Sequence, residues 1–172
     1  MYTIQKVPGK GRGLVATQKI PKGTRILCES PVITSPKYVT NYTILEALVC
    51  KQVEVLEPAL QQRFLSMHDV HRADMPYSGI IRTNGLPAGT NGEGAIFWHG
   101  CLINHSCDNN AHTHWNDLIS KRTVHAIRDI EAGEEITMNY LGCPEPRQVR
   151  QEIYRRDLSF DCGCRLCALS EE

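Results

Sequence analysis

Apolar and polar side chains alternate well enough over residues 2–7 to predict a short strand, the period breaking at Gln5-Lys6. It runs into Pro8-Gly9-Lys10-Gly11-Arg12-Gly13, predicted as a loop because three of its last five residues are glycines able to bring backbone close to a ligand. Residues 14–16 and 24–29 read as further strands around the turn Ile20-Pro21-Lys22-Gly23, so hairpin-like β structure is expected here. The period then changes. From 41 to 56, Ile44, Leu45, Leu48, Val49, Val53 and Leu56 recur at helical spacing, and Pro58 suits the first turn of a second helix carrying Leu60, Phe64 and Leu65. Beyond residues 79–85, the polar, Gly-rich stretch 87–94 is predicted as a mobile connection, with order returning at Ala95. Trp115 and residues 123–128 are predicted to pair across the turn 116–122, and the turn 131–134 precedes another strand at Ile136. Residues 144–157 read as a helix entered at Pro146, with Val149 and Ile153 inward and Arg147, Arg150, Arg155 and Arg156 outward.

Composition narrows the class. A chain of 172 residues supplies one compact core. Lysine plus arginine (19) equals aspartate plus glutamate (19), which leaves no overall electrostatic footprint for nucleic acid or an anionic membrane. Neither is expected as a direct partner. No apolar run approaches the ~20 residues of a membrane span, and residues 1–11 lack the features of a secretory signal. An intracellular protein is expected, with nucleus and cytoplasm both open and the oligomeric state undetermined by composition.

The eight cysteines are the outlying count. In a reducing compartment, clustered cysteines more often hold metal than form disulfides. Cys162, Cys164 and Cys167 stand in a C-x-C-x-x-C spacing that lets a short loop wrap one cation. Tetrahedral zinc needs a fourth ligand, and Cys107 is the candidate, since it closes the segment Asn104-His105-Ser106-Cys107, whose polar residues follow an apolar pair. Incidental reduced thiols are the plainer alternative. Cys28, Cys50, Cys101 and Cys143 are scattered and are expected to be buried free thiols. By themselves, Asn104-His105 fits a capped turn with a core histidine, and 134–140 fits a strand ending in a buried tyrosine.

Their order along the chain changes this. Lys10-Gly11-Arg12-Gly13-Leu14, then Asn104-His105-Ser106-Cys107, then Gly133-Glu134-Glu135-Ile136-Thr137-Met138-Asn139-Tyr140, then Phe160-Asp161-Cys162-Gly163-Cys164-Arg165-Leu166-Cys167 resembles the SET-domain protein lysine methyltransferases over residues 10–167. The cysteine tail is most similar to the branch that joins SET to a MYND finger. The resemblance implies a mainly β fold with short helices (α+β): a β-clip of small curled sheets, a pseudoknot-like crossing of the Asn104 and Tyr140 segments, and a post-SET zinc motif. It implies a SET body over 1–143, with a helical insert at about 41–68, and a C-terminal helix and zinc-binding tail over 144–172. The implied cofactor is S-adenosylmethionine, held by Lys10, Gly11, Arg12, Gly13, Asn104 and His105, with Phe160 on the adenine side and Tyr140 both touching the cofactor and acting catalytically. Cys107, Cys162, Cys164 and Cys167 would bind Zn2+. The Asn84-Gly85 turn loosely resembles the segment lining the lysine channel. A lysine-containing protein or peptide is the implied partner.

The chain also departs from the family pattern. Asp108-Asn109 stands where a Pro-Asn pair is usual, leaving Asn110 to supply the amide, and Leu158 stands where a channel tyrosine is common. No MYND finger is expected in the insert and no helical substrate-binding extension after Cys167, so target selection would fall to residues 38–94 or to a partner. A catalytically silent scaffold and a methyltransferase for a small-molecule amine are the alternatives.

Overall fold

The computed structural model describes residues 1–37, 39–71, 74–142 and 145–169. Cys143, expected to be a buried thiol, and Pro144, the predicted helix start, lie outside the described residues. In chain order the elements are β1 (Tyr2–Val7), β2 (Gly11–Ala16), β3 (Arg25–Glu29), β4 (Ile33–Ser35), α1 (Tyr42–Glu54), α2 (Pro58–Leu65) and α3 (Pro76–Asn84). There follow β5 (Leu86–Ala88), β6 (Glu93–Ile96), a 3-10 turn at Gly100–Leu102, β7 (Asn104–His105), β8 (Ala111–Asn116), β9 (Lys121–Ala126), β10 (Glu135–Met138) and α4 (Arg147–Ile153), continued by a π-helical turn over Tyr154–Leu158. No helix among the described residues is long and apolar enough to cross a membrane. The chain divides into two compact units: Met1–Cys28 with Leu102–His114 and Thr123–Glu172, and Glu29–Cys101 with Trp115–Arg122.

The first unit is built on a sheet of order β1-β2-β10-β7. β1 and β2 pair as a hairpin, from Tyr2↔Ala16 to Val7↔Gly11, whereas the strands on either side of the turn 20–23 do not pair with each other, β2 and β3 lying in different sheets. The turn is only Pro8, Gly9 and Lys10, with Gly9 at φ 72°, so residues 11–13 lie in a strand and not in the predicted loop. β10 lies antiparallel to β2 through Ile136↔Leu14 and parallel to β7 through Thr137↔Asn104 and Met138↔His105. A parallel pair cannot be closed by a tight turn; here the residues between 105 and 135 make the connection. Leu14, Ile103 and Ile136 are fully buried within this unit. Strands β3, β9 and β8 form a second small sheet in that order, matching the predicted pairing across 116–122.

Asn110 locks the connection. Its side chain is 1% exposed; Nδ2 donates to Glu135 O (2.8 Å) and Glu134 Oε1 (3.0 Å), and Oδ1 accepts from Thr137 N (2.8 Å). One side chain thus satisfies the β10 backbone where sheet pairing does not.

In the second unit, α1 begins at Asn41, whose Oδ1 accepts Ile44 N. α1 buries Leu45, Val49 and Val53 against Phe64 of α2, Ile80 and Ile81 of α3, and Ile33 and Ile96 of the β4-β6-β5 sheet. Ile44 and Leu48, predicted for the same face, are exposed, because one stripe is enough for a short helix packed from one side. α3 was not foreseen. Its N-terminal Tyr77 and Ser78 amides are capped by the Glu46 carboxylate of α1 (3.4 and 2.7 Å), a partner that local sequence does not indicate. The predicted mobile connection at 87–94 is instead the β5–β6 hairpin, paired from Leu86↔Ala95 to Ala88↔Glu93, with Gly89 and Gly92 at φ 65° and 68° making its turn.

Candidate active site and cysteine cluster

The site residues all come from the first unit. Where β7 meets β10, the Asn104 side chain turns toward β2: Nδ2 donates to Arg12 O (3.2 Å) and Glu135 Oε1 (2.8 Å). Both amide protons are committed, which leaves Oδ1 as the acceptor of that side chain. The second Glu135 oxygen accepts Lys10 Nζ at 2.7 Å, and Lys10 Nζ also lies 3.5 Å from His105 O. A Cβ at Gly13 would sit 2.7 Å from Asn104 Nδ2 and 3.0 Å from Glu135 Oε1, so only glycine lets this cluster close.

His105 faces the other way, into an aromatic cluster. Its ring centroid lies 4.4 Å from Tyr154, 5.2 Å from Tyr140 and 5.9 Å from Phe160, and Phe160 stacks on Tyr154 at 5.1 Å and 15°. Tyr140 Oη donates to Ile103 O at 2.9 Å, and Tyr140 N donates to His105 Nδ1 at 3.2 Å. Burial, with help from the Lys10 and Arg150 cations, pushes the His105 pKa down to about 4. The imidazole is therefore neutral near pH 7. Since Nδ1 accepts, the ring proton is on Nε2, which points at Cys107 Sγ (3.3 Å).

The sulfurs of Cys107, Cys162, Cys164 and Cys167 all lie within 4.8 Å of one another. Cys107 Sγ is 3.5 Å from Cys167 Sγ and 3.9 Å from Cys162 Sγ. Four sulfurs ~2.3 Å from one zinc would be roughly 3.8 Å apart, so the donor set and its spacing fit tetrahedral zinc. Gln151 of α4 holds the cysteine loop against its own helix, donating to Cys162 O (2.7 Å) and accepting Cys162 N (2.9 Å). Burial would raise Cys164, but the Cys167 backbone amide, the Cys162 thiol and the amides of Cys107 and Asp108 bring its pKa down to about 6; burial pushes Cys162 up to about 12. A bound metal would supply the drive to ionise these thiols.

A family model described as "SET domain" matches residues 11–141. The chain belongs to the SET-domain family. This SET domain is 36% identical over 172 residues to histone-lysine N-methyltransferase set5 of Schizosaccharomyces pombe, which covers 99% of the chain and 51% of that protein. It is also 36% identical over 97 residues to protein-lysine N-trimethyltransferase SMYD5 of Gallus gallus (55% of the chain, 23% of that protein), and 33% identical over 84 residues to histone-lysine N-methyltransferase ATXR4 of Arabidopsis thaliana (46% and 26%). The chain spans about half the length of the first of these relatives and about a quarter of the other two.

Within this SET domain, Lys10, the Arg12 carbonyl, Gly13 and Asn104 come together, as do His105, Tyr140 and Phe160, and as do the four cysteines. Gly11 lies at the start of β2, where its φ of 76° serves the turn. Asn84 and Gly85 belong to the other unit, where Asn84 Nδ2 donates to His68 O and Ile80 O at the end of α3. Cys28 is exposed, contrary to expectation, and Cys50 is half-buried. Cys101 is likewise half-buried, and desolvation of its thiol pushes the pKa up to about 12.

Three contributors to the cluster were missed in sequence. Glu135 stands at the start of the predicted strand 134–140, where no role was assigned to it. Tyr154 is fully buried and lies 3.7 Å from Cys107 Sγ. Arg150 was predicted outward but is 9% exposed, while Val149, predicted inward, is 38% exposed. The buried stripe of the C-terminal helix runs through 150 and 154, because that face meets the cysteines and not an apolar layer.

Proposed function

We propose that this SET domain transfers a methyl group from S-adenosylmethionine to a lysine side-chain amine of a protein substrate. The parallel pairing of β7 with β10 carries this reading, since it gathers Asn104, His105 and Tyr140 beside an aromatic cluster. The donor set suits the cofactor: Lys10 and Arg12 for a carboxylate, Asn104 Oδ1 for an ammonium, and the Phe160 face for a purine. When bound, S-adenosylmethionine supplies an electrophilic methyl group on a sulfonium. The residues here have to position an amine and exclude water. A free lysine of pKa ~10.4 is neutral in only roughly one molecule in 2,500 at pH 7, and the apolar faces of Tyr140, Tyr154 and Phe160 would favour the neutral amine by desolvation. Tyr140 Oη has its proton directed at Ile103 O, so its oxygen acts as an acceptor that orients an amine N–H. In this reading the body is 1–143, the tail is 144–172, and the four cysteines hold one structural zinc. Target selection falls to residues 38–94 or to a partner.

Transfer of a labelled methyl group from S-adenosylmethionine onto a protein and peptide library is the test. We expect lysine methylation, with Tyr140→Phe reducing the rate by about 10²-fold or more and leaving cofactor affinity within a few-fold. Absence both of transfer and of cofactor binding by calorimetry would overturn the reading; binding without transfer, unaffected by Tyr140→Phe, would make the domain a scaffold.

A further inference from the structure

Arg150 is buried, yet its partners among the described residues are two sulfurs and one carbonyl oxygen. Nε donates to Cys107 Sγ (3.2 Å), Nη2 to Cys167 Sγ (3.5 Å) and Nη1 to Glu145 O. A guanidinium taken out of water needs an anion in hydrogen-bonding reach. A neutral thiol is a poor acceptor, whereas a thiolate is a strong one, and the planar fork of arginine matches a pair of fixed anionic acceptors. The arrangement therefore suits sulfurs that are charged in the working protein. Four thiolates around one divalent cation leave an excess of two negative charges in a half-buried site, and Arg150 supplies the positive charge against them.

The donors are unevenly shared. Cys107 Sγ also faces His105 Nε2 at 3.3 Å and Tyr154 Oη at 3.7 Å, so side chains from β7, α4 and the π-helical turn converge on this one sulfur. Cys107 comes from the body of the unit and Cys167 from its tail, and the Arg150 fork bridges the two. We propose that Arg150 is the counter-ion and positioning residue of the zinc–thiolate centre, its fork holding Cys107 and Cys167 at ligand spacing and so fixing the tail to the Asn104-His105 segment. This role rests on the reading of the four cysteines as a zinc site.

The test uses the full chain as wild type, Arg150→Gln and Arg150→Lys. Three quantities are measured: zinc content by elemental analysis, zinc transfer to a chromophoric chelator, and the sulfur-to-metal charge-transfer band after replacement of zinc by Co2+. We expect one zinc per wild-type chain. Arg150→Gln should weaken zinc binding by roughly 10- to 100-fold, as loss of an outer-shell partner typically does, and should move the Co2+ band to longer wavelength because the thiolates become better electron donors. Arg150→Lys, which keeps the charge but not the fork, should fall between the two. Zinc affinity within twofold of wild type together with an unmoved band in Arg150→Gln would overturn the role. Should that variant fail to fold, Arg150→Lys decides by the same two readouts, since a residue that merely fills space would leave the band in place. A wild-type protein that binds neither zinc nor Co2+ removes the metal site itself, an outcome distinct from a loaded site indifferent to Arg150.

Discussion

Gly13 has an ordinary backbone conformation, so its glycine identity answers to space. A methyl group there would push Asn104 Nδ2 off Arg12 O and Glu135 Oε1. Gly13→Ala is therefore expected to reduce S-adenosylmethionine affinity by about tenfold or more, equivalent to one well-placed hydrogen bond, with the circular dichroism spectrum retained. Calorimetric titration of the variant checks this, and unchanged affinity would detach Asn104 from cofactor binding. The glycine cluster was visible in sequence, but its reason was not. Gly13 was read as part of a ligand-facing loop, because nothing local indicates that Asn104 and Glu135 pack over this strand. Arg150 is the same case in reverse. A charged residue on a helix is by default solvated, and its inward placement depends on sulfurs that lie 43 and 17 residues away in sequence.

At the scale of elements, the turn into β10 is held by Glu134. Its carboxylate accepts from Arg128, from Asn110 and from Glu131 N at 3.0 Å. Burial works against the charged form, but these donors outweigh it and hold the carboxyl below its ordinary value of 4.5. For an acid whose folded pKa is depressed, the stabilisation is complete above the ordinary value and is lost as pH falls through the folded one. Glu134→Gln should thus be less stable than wild type near pH 7, with the gap closing as pH drops below about 4.5. Denaturant midpoints measured across that range check it; a gap independent of pH would leave the ion pair without a role. Elements differ in how plainly sequence announces them. The strands β1 and β3 and the helices α1 and α2 were legible because their period, cap and proline are local. α3 was not, since Glu46 caps it from another helix, and β7 was not, since two residues make a strand only when β10 lies beside them.

The tail meets the body through Cys107, which the Arg150 fork also holds, through the Arg165–Asp108 ion pair and through Tyr154 and Phe160 packed on His105 and Tyr140, and Cys107 is the one sulfur of the four that the body supplies. Zinc should therefore contribute much of the tail's stability, because binding free energy at such a site appears directly as folding free energy. Removing the metal with a chelator, or making Cys107→Ser, is expected to expose residues 145–169 to proteolysis and to lower the unfolding midpoint by on the order of 10 °C, which corresponds to about 3 kcal/mol in a domain of this size. Weaker S-adenosylmethionine binding should accompany this, since Phe160 lies two residues before Cys162. Limited proteolysis, calorimetry and elemental analysis on the same sample test it; a tail that stays protected without metal would contradict it.

From the sequence alone came the strand and helix periods, the cysteine spacing and the ordered motifs that mark the family, all of which are recorded between near neighbours along the chain. Tertiary structure decided which side chains meet. Lys10 finds Glu135 across 125 residues and Asn110 finds Thr137 across 27. Periodicity reports which face of an element is buried, but the identity of what lies against that face is set by chain topology.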